Sequence, residues 1–465
     1  MSDARTLRAA ILSALEETGS PGGELQPGAL YIPLSHLRAL RMDTSVVVGG
    51  RGVGKSFWTA VLQSSTLRGL IGSPELDGVE VRVGFAGRQD IGHYPNADVF
   101  AAFIDGGGDP CDLWRATVLR WIAERAQQSV PMASWPDTVA WLKSKPEAAA
   151  RLMQRRGDWR GLILFDALDR TSNDWQRMDD IVRGLLRAML WIQSFPGLHA
   201  KVFLREDQAQ RTVFNFPDAS KLAATRAELV WARHDLHGLL WQRLVNAPDP
   251  HGECLCAMAY ATKYDGVWWL PDAMKRESST QRALFERLAG PWMGSDRRRG
   301  VPYSWCVSHL ADGRGQTSPR SFLAAIRQVA EDSGNRYPEH ALALHYESMK
   351  RGIQKASEIR VQEMAEDYPW VSDLLTELRG MSVPCDYAEV QARWQARFPD
   401  GPQSIASLRL PAQHAERGWD GLREDLQRLG LIKTREDGRI DMPDLYRIGF
   451  GLGRRGGVRP RNRAP

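Results

Sequence analysis

The sequence predicts an α/β fold, a parallel sheet covered by helices on both faces, followed by a helical subdomain and a small module of three helices and a hairpin. Three observations carry this expectation. A β-branched run, Val46-Val47-Val48, breaks into a glycine-rich turn that closes on Lys55-Ser56. Apolar strand-like runs at 79–85, 161–165, 200–204 and 228–231 alternate with amphipathic helical stretches, the pattern of strands joined by crossover helices. Beyond residue 243 the strand signals fade, and Trp, Ala and Leu recur at helical spacing.

Length and composition bound the rest. The 465 residues suffice for roughly two to four domains and a large core. No apolar run approaches the ~18 residues of a membrane helix, and the N-terminal stretch lacks the basic start and apolar run of a signal peptide. The expected location is therefore cytoplasmic, with no membrane partner. Five cysteines, an odd number, do not make a disulfide framework, and the one-residue spacing of Cys254 and Cys256 is wrong for zinc, so all five read as structural. A formal net charge of +5 is mild and does not by itself imply nucleic acid. The seventeen tryptophans read as core and interface packing.

Residues 4–17 place Leu7, Ile11, Leu12 and Leu15 on one helical face, and Pro and Gly over 19–28 break the pattern. Residues 1–29 thus form a helix and a linker. A short amphipathic piece at 31–40 leads into the first strand. There, Gly49, Gly54, Lys55 and Ser56 stand at the G-x-x-x-x-G-K-[ST] spacing of a phosphate-binding loop. Glycines let the backbone curl until its N–H groups face phosphate oxygens, and the helix that follows over 57–62 aims its positive end at the same anion. The expected nucleotide contacts are Gly49, Gly50, Arg51, Gly52, Val53, Gly54, Lys55, Ser56 and Phe57. Lys55 would reach the β- and γ-phosphates and Ser56 would hold Mg²⁺. An ordinary strand-turn-helix is the alternative.

The apolar run 162–165 ends in Asp166, as a central parallel strand with a carboxylate at its C-terminal tip would, and ligands gather at such tips in open α/β sheets. Following the loop by about 110 residues, Asp166 is the expected Walker B acid and Mg²⁺ holder. Asp169 is a candidate to orient the attacking water, with a helix cap or loop salt bridge as the alternative. The strand at 200–204 ends at Arg205, a candidate γ-phosphate sensor or else a salt-bridge partner of Glu206 or Asp207. These elements make a domain over 30–243.

Residues 244–346 form the helical subdomain. Near its end Ser318 reads as an N-cap, Pro319 as the first helical residue, and Arg320 falls in the first turn, where the helix dipole disfavours a cation. Contact with a nucleotide phosphate would explain Arg320; a solvent-exposed or ion-paired arginine is the alternative. A charged connecting helix occupies 347–365. Over 366–450, helices at 370–378, 386–394 and 419–429 precede two short strands around Asp437-Gly438, the order of a winged helix-turn-helix. That fold binds DNA in many proteins and serves others as a protein-contact module. The tail, 451–465, carries Arg454, Arg455, Arg459, Arg461 and Arg463 without an acid, suiting phosphate backbone or an acidic partner, and reads as disordered in isolation.

With these residues placed, the chain resembles the bacterial STAND and KAP-type branches of the P-loop NTPases, ASCE ATPases related to the AAA+ and origin-recognition ATPases. Residues 49–56 look like their G-x-R-G-x-G-K-[ST] loop, 162–170 like their apolar strand and D-x-L-D segment, and 202–205 like their strand ending in a sensor arginine. Residues 317–320, opening a late helix, resemble the sensor 2 arginine of the AAA+ and origin-recognition lids. Two positions depart from the pattern. Ala167 stands where AAA+ and KAP proteins usually carry a second acid, and Arg170 stands where a NACHT-like run closes on Glu.

The resemblance implies a three-layer P-loop NTPase domain, a helical lid and a C-terminal winged helix. It implies an ATP-hydrolysing switch in which Lys55, Ser56 and Mg²⁺ grip ATP, Asp166 and Asp169 serve metal and water, and Arg205 and Arg320 sense the γ-phosphate. The winged helix and tail would then contact DNA, a protein partner or further copies of the chain, in bacterial signalling or antiphage defence. The competing expectation is an ATP-stabilised scaffold or DNA-binding adaptor with negligible hydrolysis; a P-loop kinase acting on a small molecule is a third.

Overall fold

The computed structural model describes residues 3–16, 25–154, 159–209, 212–248, 252–405, 407 and 409–460. The chain divides into two compact units, Ile32–Val230 and, together, Met1–Tyr31 with Trp231–Pro465.

The Ile32–Val230 unit is built on a five-stranded sheet: β1 (Val46–Val48), β2 (Glu80–Phe85), β3 (Gly161–Phe165), β4 (Leu198–Leu204) and β5 (Ala227–Glu228). The spatial order is β2-β3-β4-β1-β5, and every pairing is parallel. All residues of β1 and β3 are buried, as continuous apolar runs in the middle of such a sheet should be, whereas β2 at the edge is half-buried over most of its length. The register pairs Val48 with Leu204 and Phe165 with Val202, so the C-terminal tips of β3, β4 and β1 follow one another along one edge. β2, β3 and β4 lie where the sequence places them, whereas β5 shares only Glu228 with the expected run 228–231. β5 is only two residues long; Leu229 N donates one more ladder bond to Val48 O before the chain leaves the sheet.

Packing against the sheet is aromatic. Trp114, on the helix Pro110–Arg125, meets Phe100 at 4.7 Å, Phe165 at 5.4 Å and Phe85 at 5.8 Å between ring centroids, and its indole N–H donates to Ile181 O on the helix Trp175–Gln193. Replacing a fully buried tryptophan of this kind by alanine costs about 3–5 kcal/mol. In β4, Lys201 is fully buried, and its ammonium donates to the carbonyls of Ala39, Arg41 and Thr44. These carbonyls lie at and just beyond the end of the helix Leu34–Leu40, where intrahelical donors run out. The same helix meets the loop helix through Trp58 Nε1, which donates to His36 Nδ1 at 3.1 Å.

In the second unit the N-terminal helix Ala4–Ala14 is tied down by Arg8, whose guanidinium donates to the carbonyls of Tyr337, Pro338, His340, Leu342 and Ala343. The helices Pro319–Arg336 and Tyr346–Asp367 pack closely because Gly352 has no Cβ; one would sit 2.5 Å from Val329 Cγ2 and 2.7 Å from Ala325 O. The 3 helices Pro369–Thr376, Tyr387–Arg397 and Gly418–Arg428 precede the strands Lys433–Thr434 and Ile440–Asp441, in the expected order.

Two features differ from expectation. Within 244–346 the structure holds a hairpin, Thr262–Tyr264 against Val267–Trp269, where only helices were expected. Its Asp265-Gly266 turn takes positive φ at both residues, the conformation a two-residue hairpin loop requires. The tail is docked rather than free as far as residue 460. Arg454 pairs with Asp441 and Asp444, Val458 is buried, and the buried Arg447 donates to Leu452 O and Val458 O. Arg461, Arg463 and part of the 19–28 linker lie outside the described residues.

Candidate nucleotide site

The site sits at the three consecutive strand tips of the Ile32–Val230 unit. After Val48 the chain is fixed by Gly49 N donating to Leu204 O, then turns through Gly52 and Gly54, both with positive φ. Gly54, at φ 104°, is the N-cap of the helix Lys55–Gln63 and makes no side-chain cap hydrogen bond. The first N–H groups of a helix have no intrahelical acceptors, so a glycine cap leaves a positive helix end dressed for an anion. Gly49 is required for closeness, since a Cβ there would sit 2.7 Å from Val53 Cγ2.

Lys55 folds back over the loop, its ammonium donating to Gly49 O at 2.9 Å and Gly50 O at 2.7 Å. Burial, reinforced by the cation of Arg205, pulls Lys55 down to about 8 against the opposing pull of Asp166, Asp169 and Asp207. Across the loop Ser56 Oγ donates to Asp166 Oδ2 at 2.6 Å. Asp166 is only 4% exposed; burial raises its carboxyl above the usual range, while the hydrogen bonds from Ser56 and the Ala167 backbone and the charge of Lys55 oppose the shift. Next to it Ala167 takes a left-handed conformation, φ 57°, unusual for a residue with a Cβ, and turns the chain into the short helix Leu168–Arg170 that carries Asp169.

Arg205 lies at the tip of β4, between the strand of the glycine loop and the strand of Asp166. Its Nη1 is 3.6 Å from Asp169 Oδ2, and its Nε is 3.3 Å from Asp207 Oδ1. Of the alternatives weighed for Arg205 the salt bridge to Asp207 is present, and the side chain also stands at the strand tips beside Asp169. Glu206 stands beside the loop, its Oε1 3.5 Å from where a Cβ on Gly50 would be. The sequence marked Glu206 and Asp207 only as ion-pair partners; their places in the cleft depend on which strand neighbours the loop, and local spacing does not encode that.

The structure thus brings Lys55, Ser56, Asp166, Asp169 and Arg205 together in one unit. Arg320 belongs to the other unit. There Ser318 caps the helix Pro319–Arg336 by accepting from Ser321 N, and Arg320 Nη1 donates to Glu363 Oε1 at 2.9 Å. That carboxylate offsets the unfavourable helix dipole.

Ser56 Oγ and Asp166 Oδ2, two hard oxygens side by side, suit Mg²⁺, which takes one or two protein oxygens and completes its shell with water and phosphate. Among the described residues no group of three or more His, Cys, Asp or Glu side chains could hold a metal by itself, and none is needed for such a site. No helix among them is long and apolar enough to cross a membrane.

The C-terminal module has a balanced surface. Both arginines of the helix Gly418–Arg428 are ion-paired on it, Arg423 with Asp420 at 3.1 Å and Arg428 with Glu424 at 2.6 Å, and in the hairpin Arg439 pairs with Asp437 at 2.6 Å. A surface that grips phosphate backbone needs cations in excess, and these three arginines are each matched by an acid.

No protein-family model matches the chain, and no curated protein does. Solved structures that match include the Aeropyrum pernix ORC2 protein in ADPNP–ADP complexes, at 12% sequence identity and a TM-score of 0.42, with 93% of each chain covered. A likeness at that level carries no inference about chemistry, which here rests on the residues themselves.

Proposed function

We propose that this chain binds ATP at the tips of β1, β3 and β4 and hydrolyses it slowly, as a nucleotide-dependent switch of the STAND/KAP kind. The observation that supports this most is the pairing of Ser56 with Asp166 at 2.6 Å beside a lysine folded onto its own glycine loop. The loop N–H groups and the Lys55 ammonium bind the β- and γ-phosphates, and Lys55 exchanges its two carbonyl partners for phosphate oxygens. Ser56 and Asp166 would hold Mg²⁺, which would supply charge neutralisation at the phosphates. Asp169 orients a water and takes its proton as the water oxygen attacks the γ-phosphorus; the bond to the β–γ bridging oxygen breaks, and ADP and phosphate leave. Arg205 stabilises the charge on the transferring group. The winged-helix module and the lid helix bearing Arg320 report the nucleotide state to a partner, and the ion pairs that engage Arg423, Arg428 and Arg439 favour a protein over DNA.

A second reading, an ATP-stabilised scaffold with negligible turnover, draws support from the Arg205–Asp169 contact and from Ala167 in place of a second acid. Steady-state phosphate release from wild type, Lys55→Ala and Asp166→Ala, with and without duplex DNA, separates the two. Turnover in wild type that both variants lose supports the enzyme. Equal background rates in all three sink it and leave the scaffold.

A further inference from the structure

We propose that Asp207 is a positioning residue that sets the resting place of Arg205 and so couples arrival of a γ-phosphate to release of Asp169. The inference rests on the ATP reading above. Asp207 lies two residues beyond Arg205, and its side chain is 8% exposed. Its Oδ1 faces Arg205 Nε at 3.3 Å and its Oδ2 faces Nη2 at 3.4 Å, a side-on grip along one edge of the guanidinium. The carboxylate is itself anchored, Oδ1 accepting from Gln208 N at 3.0 Å. Gln208 completes the clamp: its Oε1 accepts from Arg205 N at 3.1 Å, and its Nε2 rests 3.2 Å from Met178 Sδ on the helix Trp175–Gln193. The arginine is therefore fixed at its backbone and along one edge of its head. Nη1, at the opposite corner of that head, is the atom 3.6 Å from Asp169.

This geometry has a chemical consequence. The ion pair holds Asp169 Oδ2 against the guanidinium. While Arg205 faces Asp169, the acid is held back from water. A γ-phosphate brings competing negative charge to Nη1, and because Asp207 keeps the Nε–Nη2 edge, the guanidinium pivots about a held edge. Asp169 is then released only when the phosphate to be cleaved is in place. ADP, lacking that phosphate, leaves the contact intact.

The test is a double-mutant cycle in the full-length chain. ATP and ADP affinities are measured by calorimetry, with kcat and KM for ATP, in wild type, Asp207→Asn, Asp207→Glu, Arg205→Ala and Arg205→Ala/Asp207→Asn. The expected result is that wild type prefers ATP over ADP, that Asp207→Asn lowers both that preference and kcat about tenfold with ADP affinity unchanged, and that Asp207→Glu restores part of each. In the Arg205→Ala background, Asp207→Asn should then change nothing further, which a merely structural role would not produce. If Asp207→Asn melts below the assay temperature, Asp207→Glu takes its place in the cycle. An Asp207 variant with the wild-type ATP preference and kcat, an additive cycle, or a wild type that binds ATP and ADP alike overturns the proposal while ATP binding stands. A wild type that binds neither nucleotide overturns both.

Discussion

Arg205 and Asp169 face each other across adjacent strand tips, Nη1 to Oδ2 at 3.6 Å, although 36 residues and a full crossover separate them in sequence. The side chain expected to recognise the γ-phosphate and the one expected to act on water are in contact. Turnover should therefore respond sharply to Asp169. In Asp169→Asn, kcat is expected to fall about 10²-fold, the usual cost of losing a general base, with ATP affinity within about threefold of wild type. Single-turnover phosphate release measured beside equilibrium binding checks this; an undiminished kcat would assign Asp169 to structure alone.

ATP affinity should depend on pH through Lys55. Its ammonium, drawn down to about 8 by burial and Arg205, is the form that phosphate requires. Below that value the lysine already carries its proton and contributes no pH dependence. Above it, binding must first recapture a proton, so affinity falls as pH rises, by up to about tenfold per unit. Calorimetry across this range in two buffers of different ionisation enthalpy would reveal the proton uptake, and Lys55→Ala should bind weakly at every pH.

Gly54→Ala should abolish nucleotide binding with little loss of stability. A Cβ at Gly54 would meet no atom closer than 3.9 Å, so there is room for it; the obstacle is φ at 104°. Left-handed backbone costs an L-residue about 1–2 kcal/mol, enough to re-aim the loop N–H groups that face the phosphates. A melting curve near wild type combined with lost ATP binding is the expected pair of results. Lost binding with a large drop in melting temperature would point to general unfolding instead.

Lys201 should make stability pH-dependent. Unfolded, its ammonium titrates near 10.5; folded, burial draws it to about 7. Between those values the unfolded chain binds more protons, so this group adds stability as pH rises from about 7 towards 10.5 and loses it as pH falls back through 7. Lys201→Met strips the donor from three carbonyls and should destabilise by about 2–4 kcal/mol. Denaturant unfolding should show the gap between wild type and variant widening as pH increases; a constant gap would refute the titration.

For the tail, Arg455→Ala/Arg459→Ala should leave stability unchanged, whereas Arg454→Ala should lower it by about 1–3 kcal/mol because buried Asp441 loses its guanidinium partner and buried Asp444 keeps only that of Arg447. Deleting the whole tail would confuse the two effects. DNA binding that weakens with salt and with the exposed pair alone would restore nucleic acid as a partner against the protein reading.

Short-range chemistry was the legible part. Gly49, Gly54, Lys55 and Ser56 are a local pattern, Asp166 ends an unmistakable buried strand, and Ser318 and Pro319 spell out a helix start. The Arg205–Asp207 pair was legible because the two residues are neighbours in sequence, whereas the setting of Lys201 was not, because it depends on carbonyls at a helix end more than 150 residues earlier in the chain. The hairpin at 262–269 carried an Asp-Gly signal between aromatic residues, but Trp, Ala and Leu in the surrounding stretch fit a helical period equally well. Arg320 was recognised as misplaced against its dipole, while Glu363, which resolves the conflict, lies 43 residues away.

Glu363 does more than settle Arg320. Its Oε1 accepts from Arg320, 62% exposed, and its Oε2 accepts from Arg360, which is buried and reaches Tyr446 OH beside the hairpin of the C-terminal module. One carboxylate is thus divided between a surface guanidinium and an interior one. A label or substitution placed at Arg320, in easy reach of solvent, becomes a remote handle on the interior, reporting how firmly the last module is held without a probe ever entering it.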